Sequence, residues 1–100
     1  MPTPSGDVMT DFEIRHQPDR SRFAADVDGV EAALEYRMEG SCMVITHTHV
    51  PEPVGGRGIA GALTRAAFEH ARVQDLHVRP ACSYAAGWVD RHPEYGDLLG

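Results

Sequence analysis

Apolar and polar residues alternate along most of the first half of the chain. Phe12, Ile14 and His16 alternate with Glu13 and Arg15, a short first strand that Pro18 and Asp19 break. Phe23, Ala25 and Val27 alternate with Arg22, Ala24 and Asp26, and Asp28-Gly29 then has the composition of a two-residue hairpin turn. Ala32, Leu34, Tyr36 and Met38 alternate with Glu31, Ala33, Glu35 and Arg37, the mark of a half-buried strand with one wet face. Glu39-Gly40-Ser41 reads as the next turn. The run from Cys42 to Val50 begins apolar on both parities, which predicts a central strand. The four strands form an antiparallel meander, ended by Pro51 and Pro53.

The period then changes from two to about 3.6. Ile59, Leu63, Ala66, Ala67 and His70 share one helical stripe, so a helix is predicted from about Arg57 to Val73. Phe68 falls on the opposite side, and the stripe does not account for it. Leu76 to Arg79 reads as a small final strand closed by Pro80. Ser83 is the predicted N-cap of a second helix carrying Tyr84, Ala85, Trp88 and Val89. Pro93 stops that helix, because a residue before proline avoids the helical region. The order ββββαβα predicts an α+β fold, a mostly antiparallel sheet packed by two helices.

Between the fourth strand and the first helix lies Gly55-Gly56-Arg57-Gly58-Ile59-Ala60. A glycine-rich turn that opens a helix exposes backbone N–H groups with no internal partner, at the positive end of the helix dipole. Such a place binds phosphate groups. The segment is neither the dinucleotide fingerprint nor a P-loop, since no Gly-Lys-Ser/Thr follows. The bland alternative is a loop that merely turns the chain into a helix.

Composition narrows the choices. One hundred residues make a single domain, read as residues 11–100 behind a small, polar, Pro-bearing tail (1–10) expected to be disordered. The formal charge is -6, with nine Arg and no Lys, which argues against a nucleic-acid partner. Positive charge is scarce, so Arg57 gains weight as a local anion contact. No run approaches the roughly 20 apolar residues of a membrane span. Two cysteines without a secretory signal suggest a reducing cytoplasm and free thiols.

Gly58-Ile59-Ala60 fits the second half of the acyl-CoA pyrophosphate loop, Gln/Arg-x-x-Gly-x-Gly/Ala, of the GCN5-related N-acetyltransferases. Gly55 stands where that pattern has Gln or Arg, which removes one phosphate contact. With Thr46-His47-Thr48-His49-Val50-Pro51, with Pro80-Ala81-Cys82-Ser83-Tyr84 and with Arg91-His92-Pro93-Glu94-Tyr95, the chain resembles a small, truncated branch of that family from about Phe12 to Leu99. His49 stands where many relatives carry an acidic residue. The resemblance implies acetyl-CoA as cosubstrate and an amine acceptor of unknown kind. It implies that Val50 lines the pantetheine arm and that Gly55, Gly56, Arg57, Gly58, Ile59 and Ala60 hold the pyrophosphate. Cys82 is the implied catalytic group, as acetyl-accepting nucleophile or as an acid near the thioester.

Each candidate has a plainer reading beside it. Cys82 sits at a helix start, where a thiolate is stabilised, but a free Cys is most often a small buried hydrophobe. Cys42 reads as core. His47 and His49 share a strand face. They read as packing, as a base beside the cofactor, or as half of a metal site that lacks its remaining ligands, so no metal is expected. His70 and His77 read as structural or exposed, and His92 as a bond to the last helical carbonyls. Arg91 and Tyr95 read as fixing the C-terminus, and Trp88 as core. Three functions remain open: an acetyltransferase, a non-catalytic acyl-CoA binder or sensor, and a small interaction module. Acetyl-CoA binding separates the last from the others, and CoA release with an amine separates the first two.

Overall fold

The computed structural model describes residues 13–27, 29–51 and 58–100. The expected tail, Phe12, the turn residue Asp28 and the loop residues Gly55, Gly56 and Arg57 lie outside the described residues. The elements are β1 (Glu13–Gln17), β2 (Arg22–Val27), β3 (Val30–Glu39), β4 (Cys42–His49), α1 (Ile59–Val73), β5 (His77–Pro80) and α2 (Ser83–Asp90). Short 3-10 turns cover Pro18–Arg20 and Pro93–Leu98. The order ββββαβα is the predicted one. The strands lie in sequence order in a single sheet, antiparallel from β1 to β4, with β5 parallel to β4.

Several boundaries differ from the sequence reading: β4 ends at His49, not Val50, and the last strand runs through Pro80. The last strand starts at His77, because Leu76 still belongs to the turn after α1: its N–H donates to Ala71 O at 2.8 Å. Asp75 makes that reversal at φ 60. The second helix is capped by Cys82, not Ser83, which is already its first residue.

Strand alternation gives the sheet two unlike faces. On one, Phe23, Ala25, Val27, Ala32, Leu34, Tyr36, Met43 and Ile45 join α1 residues Ile59, Leu63, Ala67 and Ala71 in one core. Phe68, off the predicted stripe, is nevertheless fully buried. Its ring centroid lies 5.3 Å from that of Trp88 and 5.7 Å from that of Tyr95. The C-terminal segment thus covers a second side of α1, and helical periodicity alone does not report a partner that far along the chain. Tyr95 donates from its hydroxyl to the Glu69 carboxylate and accepts from Arg65 at 3.2 Å. Burial first, and Glu69 second, push the Tyr95 phenol above its ordinary range. Arg72 holds the same segment through both oxygens of Asp97 (3.2 Å each) and through Glu94 O at 3.0 Å.

Among the described residues no helix covers the opposite face, yet Ala24, Ala33 and Val44 on it are buried. Arginines close it. Arg22 and Glu31, ion-paired at 3.1 Å, come from the two rows flanking the Ala24–Ala33 pair, so their side chains arch over it. Val44 pairs in register with Arg37 on one side and Arg79 on the other, and both arginines reach Glu39, at 2.7 and 3.2 Å. Long stems that cover apolar surface while the head stays wet are a recognised use of arginine. The hydrogen bond from Arg37 holds the Glu39 carboxyl below the usual carboxylate range.

Candidate functional site

The geometry of the site begins with one extra residue in β4. Tyr36 pairs with Ile45 and Glu35 with His47, so Thr46 is inserted as a β-bulge. The Thr46 hydroxyl donates to Glu35 O at 3.2 Å. A bulge bends its strand and shifts the alternation by one. Beyond it Thr48, opposite Leu34, lies on the helix side, and His47 and His49, opposite Glu35 and Ala33, lie on the open face. Without the bulge His47 would have followed Ile45 into the core.

The bulge coincides with a parting of strands. Pairing of β4 with β5 ends at Ile45 and Pro80. There Ile45 O accepts two hydrogen bonds, from Ala81 N at 2.9 Å and Cys82 N at 3.1 Å. Past that point β4 keeps β3 as a strand partner, and the start of α2 stands on its other flank. Cys82 caps α2 with extended backbone (φ -95, ψ 148), and its Sγ accepts from Ala85 N at 3.4 Å. The same sulfur lies 3.5 Å from Thr48 Oγ1. Cys82 and Thr48 are both half-buried. The sequence reading missed this placing of Thr48 beside Cys82, because alternation counted from Ile45 puts Thr48 on the wrong face.

The start of α1 completes the cleft. Gly58 is its N-cap in the left-handed region, φ 77, and has no side chain to satisfy the first-turn N–H groups. No acidic residue occupies that first turn. The N–H groups of Ile59, Ala60 and Gly61 therefore keep no intrahelical partner. The Ile59 side chain is buried in the core, so only its backbone is available outward; Ala60 and Val50 are half-buried. Tyr84, one of the residues that make α2 amphipathic, is 36% exposed. Its hydroxyl lies 3.4 Å from where a side chain at Gly61 would begin, so it stands over the first turn of α1.

Other candidates sort quickly. Cys42 is half-buried at the start of β4, not in the core. His92 bonds Trp88 O at 2.8 Å and stacks on the Trp88 ring, and Trp88 is buried. His77 is exposed. Among the described residues no three His, Cys, Asp or Glu side chains converge as a metal site would require. No described helix is long and apolar enough to cross a membrane.

A parallel β4–α1–β5 unit whose strands part at a bulge, with a glycine at the helix start, is a specific arrangement. The sequence profile of the GCN5-related N-acetyltransferases matches residues 22–98. The chain belongs to the GCN5-related N-acetyltransferase family. Protein NATD1 of Danio rerio is 33% identical over 94 residues, covering 89% of this chain and 86% of that protein. Protein NATD1 of Mus musculus is 32% identical over 85 residues, covering 82% and 77%. The solution structure of a GCN5-like protein from Staphylococcus aureus superposes with a TM-score of 0.71 at 28% identity, over 88% of this chain and 87% of that one. Membership in this acetyltransferase family agrees with the fold, in which β1 and β2 are joined by a single 3-10 turn, Pro18–Arg20.

Proposed function

We propose that the protein is an acetyl-CoA-dependent N-acetyltransferase whose cofactor lies along the free flank of β4. The parting of β4 from β5 at Ile45, with Thr48 and Cys82 facing each other beyond it, carries this reading. A pantetheine arm is an extended chain with amide groups and fits a strand edge that has lost its neighbour. Val50 would line that arm. Gly55, Gly56, Arg57, Gly58, Ile59 and Ala60 would hold the pyrophosphate, chiefly through N–H groups at the start of α1. Cys82 would sit beside the thioester, as nucleophile or as acid toward the leaving thiolate. Most of the rate would come from holding amine and thioester together and from N–H groups aimed at the developing oxyanion.

Titration of the protein with CoA, followed by NMR, tests this. Shift changes are expected to centre on Val50, on Gly58 to Gly61 and on Cys82. Acetyl-CoA should also slow alkylation of Cys82 while leaving Cys42 unaffected. Shifts confined to the open sheet face, or no binding at millimolar CoA, would remove the cofactor reading and leave an interaction module. Binding without CoA release to any amine would favour the acyl-CoA sensor.

A further inference from the structure

Helices cover one face of the sheet, and arginine arches cover much of the other. The exception lies over β3 and β4 beyond the bulge, where Glu35, His47 and His49 are all exposed. Glu35 stands directly across the ladder from His47, so their Cβ atoms are roughly 5 Å apart. The two imidazoles lie 6.2 Å apart and within 11° of parallel. Among the described residues, the nearby cations are already engaged. Arg22, next to Glu35 across the strands, is held by Gln17 at 2.6 Å and Glu31 at 3.1 Å, and Arg37 by Glu39 at 2.7 Å. Among the described residues, Glu35 therefore faces His47 and His49 with no arginine bonded to it.

We propose that this notch receives the acetyl acceptor, a primary amine arriving as its ammonium ion, and that His47 removes the proton. The proposal rests on the cofactor reading above and supplies its acceptor side. His47 and Thr48 are neighbours on the strand and point to opposite faces. A thioester on the free flank of β4 would thus have Thr48 and Cys82 on its helix side and His47 on its open side. The Glu35 carboxylate attracts the ammonium ion and holds it beside His47. His49 has Ala33 across from it and no carboxylate, so it shapes the notch without sharing the proton.

The chemistry balances as follows. The ammonium ion gives one proton to the neutral His47 imidazole, the side chain suited to proton exchange near neutral pH. The freed lone pair attacks the thioester carbonyl carbon. The C–N bond forms, the C–S bond breaks, and the CoA sulfur leaves with the electron pair. The nitrogen sheds a second proton, which ends on the sulfur, and His47 returns its own to water.

The test combines calorimetric titration with acetyl-CoA and an assay of CoA release on three probes: n-butylamine, Nα-acetyl-lysine amide and a lysine-bearing peptide. His47→Gln is expected to lower kcat by about 10²-fold, within the range for general-base catalysis, with acetyl-CoA affinity unchanged. Added imidazole should restore activity to His47→Ala, and Glu35→Gln should raise KM for the amine more than it lowers kcat. These side chains are exposed, so the variants should fold. Wild-type protein that binds acetyl-CoA but transfers to none of the probes, or His47→Gln with wild-type kcat, overturns the proposal and leaves the cofactor reading standing. Failure to bind acetyl-CoA overturns the cofactor reading itself.

Discussion

Two single residues show how local physics sets behaviour. His16 stacks on Phe23 at 4.2 Å, shares a 2.6 Å hydrogen bond with the Tyr36 hydroxyl and meets His70 edge-on at 4.4 Å. Burial first, and His70 second, hold its pKa below the ordinary 6.5. The unfolded chain therefore takes up this proton at a higher pH than the folded one. The stability involved is complete above about pH 6.5 and is lost as pH falls toward the lowered folded value. Thermal melts at about pH 7 and pH 5 should show a larger fall for the wild type than for His16→Gln, which does not titrate. Equal falls would place the acid sensitivity elsewhere. Gly58 illustrates backbone strain without crowding. A Cβ there would meet nothing within 4 Å, but φ is 77. Gly58→Val should therefore cost about 1–2 kcal/mol through the left-handed backbone, and Gly58→Asn less, in urea denaturation. The two variants together separate strain from a steric block of CoA: similar loss of CoA affinity in both would indicate the block.

At the scale of elements, the bulge and the arches decide what each sheet face does. Removing Thr46 leaves Ile45 and Thr48 on the helix side and His47 on the open side, but straightens β4. The variant lacking Thr46 is expected to fold and to lose CoA affinity, because the bend that separates β4 from β5 goes with the bulge. Calorimetry on the deletion variant measures this, and unchanged affinity would show that the parting of β4 and β5 does not depend on the extra residue. The Arg22–Glu31 arch separates packing from charge. An exposed ion pair contributes about 0–1 kcal/mol, so Glu31→Gln should change stability little. Arg22→Ala uncovers Ala24 and Ala33 and should cost more, with Arg22→Met recovering part of the loss because its stem still covers them. Equal effects of Arg22→Met and Arg22→Ala would mean that charge alone closes this face.

For the whole molecule, the C-terminal segment is part of the core. Phe68, Trp88 and Tyr95 form one aromatic cluster joining α1, α2 and the last 3-10 turn. Tyr95→Ala should cost about 3–5 kcal/mol, a large share of the 5–15 typical of a domain. Tyr95→Phe keeps the ring and loses the links to Glu69 and Arg65, at roughly 1 kcal/mol. Chemical denaturation of the two variants tests whether ring packing or hydrogen bonding holds the segment.

Periodicity made the element order legible, because the two repeats are properties of near neighbours. The end of α1 at Val73 and the turn at Gly40 followed from that alone. The family was legible because motifs at Thr46, Gly58, Cys82 and Arg91 occur in one order. Tertiary structure decided the rest. Parity along β4 breaks at a bulge that neither Thr46 nor its neighbours announce, since it depends on register with β3. That register put Thr48 beside Cys82, 34 residues away, and turned His47 outward. Burial of Phe68, and of Ala24, Ala33 and Val44 on the face opposite α1, likewise depends on side chains supplied by other elements. Such contacts arise from the packed chain and leave no local period for a sequence to display.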